Sequence, residues 1–225
     1  MIENTKTKQQ YDLSNSLILS GTEVCQLPQE LLEAYYKQIS EELAKNSHTM
    51  NQYSSRQLRL AVESGSSVVA IDAVSAKLLG FVQIKRDAKQ RLELSSWLGL
   101  VPGIGRPLLI GGAALADDLD PEAPVVARVR KGNHGAEKVI MGMGGSLVGH
   151  ETSQYPNPDT LQPYQKNIYD VSLRTLLPQH PLKTKLEICP QEINDATNGG
   201  FLRRIHNNVM VRKLRWLIST YLPKH

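Results

Sequence analysis

Residues 91–118, RLELSSWLGLVPGIGRPLLIGGAALADD, read as a strand, a glycine-marked turn and a helix, and that order decides the fold. Leu92, Leu94, Leu98 and Leu100 place apolar side chains at even positions, the period of a half-buried strand. Gly103-Ile104-Gly105 then lets the backbone turn tightly into a helix carrying Leu108, Leu109 and Leu115. The first turn of a helix has amide donors without intrahelical acceptors and a partial positive charge. A pyrophosphate would therefore dock on backbone alone, with Arg106 as an added cation. Many strand-to-helix turns need glycine and bind nothing, so the context has to decide. No lysine follows Gly105 before Lys131, which excludes a P-loop, and Leu108 stands where the dinucleotide fingerprint needs its third glycine.

Outward from this stretch, the chain alternates helices and strands. Leu31, Leu32, Tyr35, Ile39 and Leu43 share one face of a helix over 29–47, and a shorter helix opens at Ser54 or Ser55 and stops at Gly65. The period then changes to two: 67–73 and 77–85 form a hairpin that leads into the strand of 91–101. After the glycine turn and its helix, 117–124 breaks the pattern, 125–130 returns to strand and 133–143 to helix. Strands follow at 146–152, 167–173 and 183–188, and the chain is helical from residue 198. The first residues are polar and read as a loosely held arm.

Bulk properties exclude several classes. With 225 residues the chain has length for one core and an appended segment, and a net charge of +4 is too mild to argue for nucleic acid. Cys25 and Cys189 lack metal-ligand spacing and read as free thiols of a reducing compartment. No apolar run has the length of a signal peptide core or a membrane span, which places the protein in the cytoplasm. His134 and His150 have no companions at metal spacing, and Ser146 lacks the Gly-x-Ser-x-Gly of a nucleophile elbow. The only concentrated basic feature is the last helix, where Leu202, Ile205, Val209, Leu214, Leu217 and Tyr221 alternate with five cations. It reads as a helix packing one face on the domain, or as a surface for a homodimer or protein partner.

GIGRPLL at 103–109 resembles the G-x-G-x-x-L-L phosphate turn of the GNAT superfamily of acyl-CoA-dependent N-acetyltransferases, and Asn133, Ala136 and Gly144 match its downstream N-x-x-A-x-x-x-Y-x-x-x-G-F pattern. The resemblance covers about 22–175, with a polar arm over 1–21 and an extension over 176–225. It implies an α/β fold with a mixed, mainly antiparallel sheet flanked by helices on both faces. It also implies acetyl-CoA as cosubstrate and a small-molecule or peptide amine as acceptor, with neither a membrane nor nucleic acid as partner. In such proteins the pantetheine arm lies between two splayed strands. Leu98, Leu100 and Val101 would supply strand backbone to it, Gly103, Ile104, Gly105 and Arg106 amides to the pyrophosphate, and Asn133 a side-chain contact.

The chain departs from the family at three places. Leu100 stands where Arg or Gln is usual, Ile140 replaces the tyrosine that serves as general acid, and Gly145 replaces a phenylalanine. These departures leave open a catalytically inactive module that acts through a protein partner. If the chain is an enzyme, Glu93 is the candidate general base, opposite in parity to the leucines; the alternative is an ion pair with a lysine or arginine across the sheet. Tyr155, Tyr164 and Tyr169 lie in the returning segment, where one of them would replace the missing acid or simply pack its ring.

Overall fold

The computed structural model describes residues 13, 15–45, 53–153, 156 and 161–176. Seven strands form one sheet in the order β1-β2-β3-β4-β5-β7-β6: β1 Ser16–Ser20, β2 Ser67–Asp72, β3 Leu78–Arg86, β4 Leu92–Gly99, β5 Val125–Arg130, β6 Ser146–Thr152 and β7 Gln165–Asp170. Every neighbouring pair is antiparallel except β4 with β5. That parallel pair follows from the crossover between them, the helix α3 Gly105–Leu119.

Two apolar layers sandwich the sheet. On one face α1 Gln29–Lys45 and α2 Ser55–Glu63 bury Leu32, Tyr36, Ile39, Leu43 and Leu58 against Leu17, Leu19, Val69, Ile71 and Phe81. Ser54 starts α2 through a reciprocal cap, its hydroxyl accepting from the Gln57 amide while the Gln57 side chain accepts from the Ser54 amide. On the other face α3, with α4 His134–Gly142 and α5 Leu173–Leu176, covers Ile18, Val68, Leu92, Leu94 and Val129. The helix α3 is apolar on nearly every side, as suits its place at the centre of this layer.

Two expectations change. Part of the N-terminal arm is an edge strand: Leu17, Ile18 and Leu19 are buried, with Ile18 facing α3 and its neighbours facing α1 and α2. The apolar triplet has both faces of the sheet to fill, and that outweighs the polar residues before it. The last described strand is β7 Gln165–Asp170 rather than 167–173, because Asp170 accepts from the Ser172 amide and opens a turn into α5. The strand expected at 183–188, the C-terminal helix and its proposed interface lie outside the described residues.

Candidate active site

A single extra residue in β4 creates the cleft. Against β3, Ser95 faces Gln83, but Leu98 faces Phe81, so the register slips by one between them. Ser96 takes up the slip in the left-handed region, with φ 51°. The even-position periodicity of β4 therefore breaks. Leu92 and Leu94 pack under α3, whereas Leu98 and Leu100 join the opposite layer with α1. A continuous strand would have kept all four on one face.

Past the bulge, β4 and β5 part. They pair only at Leu92–Val125, Glu93–Val126 and Leu94–Ala127, although β4 runs on to Gly99 and β5 to Arg130. The gap is a cleft of about 630 Å³ counting its open mouth. Glu93 to Trp97 form one wall, Ala127 to Arg130 the other, and Asn133, Ala136, Tyr164 and Lys166 edge it. Inside it, the Ser95 and Ser96 hydroxyls and Arg130 Nη1 are buried without hydrogen-bond partners among the described residues. Buried polar groups are nearly always satisfied, so three orphans in one cleft mark a place that a polar ligand completes.

The glycine turn stands at the end of this gap. Gly103, exposed and at φ +88°, reverses the chain, and α3 starts two residues later. The amides of Gly103, Gly105 and Arg106 have no acceptor among the described residues, and Gly103 and Arg106 are exposed. Two of the expected backbone donors are taken: the Ile104 amide reaches the Val101 carbonyl at 3.5 Å, and the Leu100 amide donates to the Leu79 carbonyl at 2.9 Å. The turn's own closure and the antiparallel ladder consume them, which limits Leu100 to its carbonyl. Asn133 is the N-cap of α4, its side-chain oxygen accepting from the Ala136 amide at 3.3 Å, and it also edges the cleft.

Two of the three departures from the family pattern pack against each other. Ile140 is fully buried, and a Cβ on Gly145 would lie 2.4 Å from Ile140 Cγ2. The isoleucine thus occupies the space a larger residue at 145 would need, and neither position reaches the cleft.

Glu93 lines the cleft and is 7% exposed. Its Oε2 is held by Arg128 Nη1 and lies 3.7 Å from Lys85 Nζ, and Lys85 stands directly opposite Glu93 on β3. The pairing across the sheet is formed. Arg128 extends it, reaching Asp87 Oδ2 at 2.6 Å and Glu151 Oε1 at 2.9 Å, while Arg91 holds Asp87 from the other side at 2.8 Å. Burial alone would raise the Asp87 carboxyl; hydrogen bonds from Arg128 and Arg91 outweigh it and hold the group well below the usual carboxylate range.

The tyrosines separate cleanly. Tyr169 is buried on the α4 side within hydrogen-bond distance of Glu137 and Asn167, and Tyr155 lies outside the described residues. Tyr164 edges the cleft, with the Arg130 guanidinium stacked 3.9 Å from its ring centroid and Lys166 Nζ at 5.5 Å. Burial opposes ionisation of its phenol, yet the Ser153 hydroxyl and the Arg130 and Lys166 cations hold it below its ordinary value. His134 and His150 are exposed, paired with Glu137 and Asn167, and no group of three metal-ligating side chains exists among the described residues. Nor is any helix among them long and apolar enough to cross a membrane.

No protein-family model matches the sequence, and no curated protein matches it. Solved structures do. An N-acetyltransferase from Staphylococcus aureus Mu50 superposes with a TM-score of 0.52 at 12% identity, covering 69% of this chain and 97% of the other. Arabidopsis thaliana NAA60, in complex with a bisubstrate analogue, gives 0.50 at 17% identity, covering 68% and 95%. A GNAT-family acetyltransferase from Bacillus anthracis gives 0.47 at 13% identity, covering 69% and 93%. The chain has the GNAT acyl-CoA N-acyltransferase fold, a mixed seven-stranded sheet with helices on both faces.

Proposed function

We propose that this chain is an N-acetyltransferase that moves an acetyl group from acetyl-CoA to an amine. The observation that carries the reading is the parting of β4 from β5 directly ahead of an α3 N-terminus whose first amides are free. The gap would take a pantetheine arm against its buried hydroxyls, and the free amides of the cradle would take a diphosphate. Amides of Gly103, Gly105 and Arg106 would hold that diphosphate. Leu98, Leu100 and Val101 would line the arm with backbone, and Ser95 and Ser96 would satisfy its polar groups. Asn133 would contribute its amide nitrogen at the edge. Acetyl-CoA itself supplies an activated thioester, so holding two reactants in register is most of the catalytic task.

Direct attack by the amine asks for no nucleophilic side chain and no metal. The departing thiolate needs a proton, and with Ile140 buried at the usual acid position, Tyr164 at the cleft edge would give one. Its lowered phenol lies nearer in acidity to a thiol than an ordinary tyrosine does. Glu93, the general base suggested by its strand parity, has its Oε2 committed to Arg128 and Lys85. Its role in this proposal is to fix the cleft wall, and the amine loses its proton to solvent at the open mouth.

Calorimetry with acetyl-CoA tests the first step: heat that saturates supports the enzyme, and none at millimolar ligand leaves a non-catalytic module with this fold. For the second, Tyr164→Phe keeps the stacked ring and should lower kcat by about 100-fold or more. Glu93→Gln should leave the pH profile in place; a profile that moves with Glu93 and ignores Tyr164 reverses the assignment.

A further inference from the structure

Arg130 and Lys166 are direct cross-strand partners of β5 and β7, with both side chains on the cleft and the Tyr164 ring beside them. Like charges opposite one another in a sheet repel, and here neither cation has a carboxylate partner among the described residues. The nearest acids are already engaged. Glu151 stands opposite Lys166 on β6, but its carboxylate is on Arg128 Nε, and Glu93 is held by Arg128 and Lys85. Arg130 lies over the Tyr164 ring, and its Nη1 remains buried and unsatisfied among the described residues.

A repelling pair with an orphaned guanidinium donor, in a cleft whose carboxylates are neutralised, is built for an anion. The cofactor's own anionic groups have a separate cradle at 103–106. Arg130 and Lys166 instead flank Tyr164, the residue assigned to the reacting end.

Resting on the acetyltransferase reading above, we propose that the acceptor is an amine that bears its own carboxylate, an amino acid, and that Arg130 and Lys166 bind that carboxylate. Arg130 offers it a planar pair of donors and Lys166 a point charge. The same two cations disfavour an ammonium beside them, so the amine is presented in the neutral form that attacks the thioester. Attack joins the amine nitrogen to the acetyl carbon and breaks the carbon–sulfur bond. The amine proton leaves to solvent, the thiolate takes one from Tyr164, and the phenolate regains its proton from solvent. Diamines and polyamines, which carry only positive charge, are rejected by the same field.

The experiment measures CoA thiol release with acetyl-CoA and a panel of common amino acids, each paired with its carboxamide, together with diamines. An acid should be turned over with kcat/KM at least about tenfold above its own amide, as expected for a charge-assisted contact. Arg130→Gln should remove most of that preference while leaving the acetyl-CoA Kd from calorimetry unchanged, and Lys166→Gln should reduce it less. Three results overturn the inference while sparing the transferase reading: amides or diamines that match or exceed the acids, a panel in which no amino acid is acetylated by protein that binds acetyl-CoA, or an Arg130→Gln variant whose acetyl-CoA affinity collapses. Absence of acetyl-CoA binding by the unmodified protein removes both.

Discussion

Replacing Arg128 by methionine should destabilise the fold sharply at neutral pH and less in acid. Its side chain is 11% exposed, and its guanidinium touches three carboxylates, those of Asp87, Glu93 and Glu151. Methionine fills the stem's volume and removes the charge. Stripping one partner from a buried ion pair costs about 3–5 kcal/mol because the remaining charge is stranded. Here the loss is softened: Asp87 keeps Arg91 at 2.8 Å, Glu93 keeps Lys85 at 3.7 Å, and Glu151, 33% exposed, rehydrates. A loss of about 2–4 kcal/mol follows, against a total stability of about 5–15 kcal/mol for a domain.

The pH dependence gives the sharper test. The folded Asp87 pKa lies below its unfolded value, so its contribution is full above about pH 4 and disappears as pH falls toward the folded value. The variant gives up part of that depression, so the gap between the two proteins should be smaller at pH 3 than at pH 7. Urea unfolding at both pH values measures it. A loss under about 1 kcal/mol at pH 7, the value of an exposed ion pair, or a gap that acid leaves unchanged, refutes the account of this network.

Deleting Ser96 removes the extra residue, leaving Leu98 opposite Phe81 on the α1 side, and should restore unbroken pairing in β4 and close the gap beside β5. Acetyl-CoA binding should vanish in calorimetry even where circular dichroism shows a folded sheet. Gly103→Ala puts a side chain on a left-handed residue, with its Cβ 3.2 Å from Leu13 Cδ1; it should lose about 1–2 kcal/mol in thermal unfolding and weaken acetyl-CoA binding. Ser54→Ala removes the α2 cap and should lose about 1 kcal/mol in the same assay with acetyl-CoA affinity intact, which makes it the control for Gly103→Ala.

The helices and most strands were legible because each carries one dominant local signal. In α1 the apolar residues recur at helical spacing, Ser54 and Gly65 bracket α2, and the β2–β3 hairpin alternates around Asp72, whose side chain accepts from the Val74 and Ser75 amides. The glycine turn and the start of α3 were legible for the same reason, since a reversal at Gly103 requires a backbone conformation that few other residues adopt. Leu17-Ile18-Leu19 was harder: a short apolar run looks the same in a strand and in a packed tail until a partner strand is known.

The site itself was decided by contacts between residues far apart in the chain. Nothing local marks Ser96 for a bulge, because the slip is set by how β4 must meet β3 on one side and leave β5 on the other. Glu93 reads either as a base or as one half of an ion pair across the sheet; only the sheet brings Lys85 and Arg128 onto it and decides between the two. Tyr164 follows a proline in an unremarkable segment, and it becomes distinctive only when pairing of β5 with β7 sets Arg130 and Lys166 beside its ring. Sequence alone determined the elements and the glycine turn, since backbone conformation and periodicity are short-range properties. Which charges are neutralised and which remain available is a matter of long-range register, and that only the tertiary structure decides.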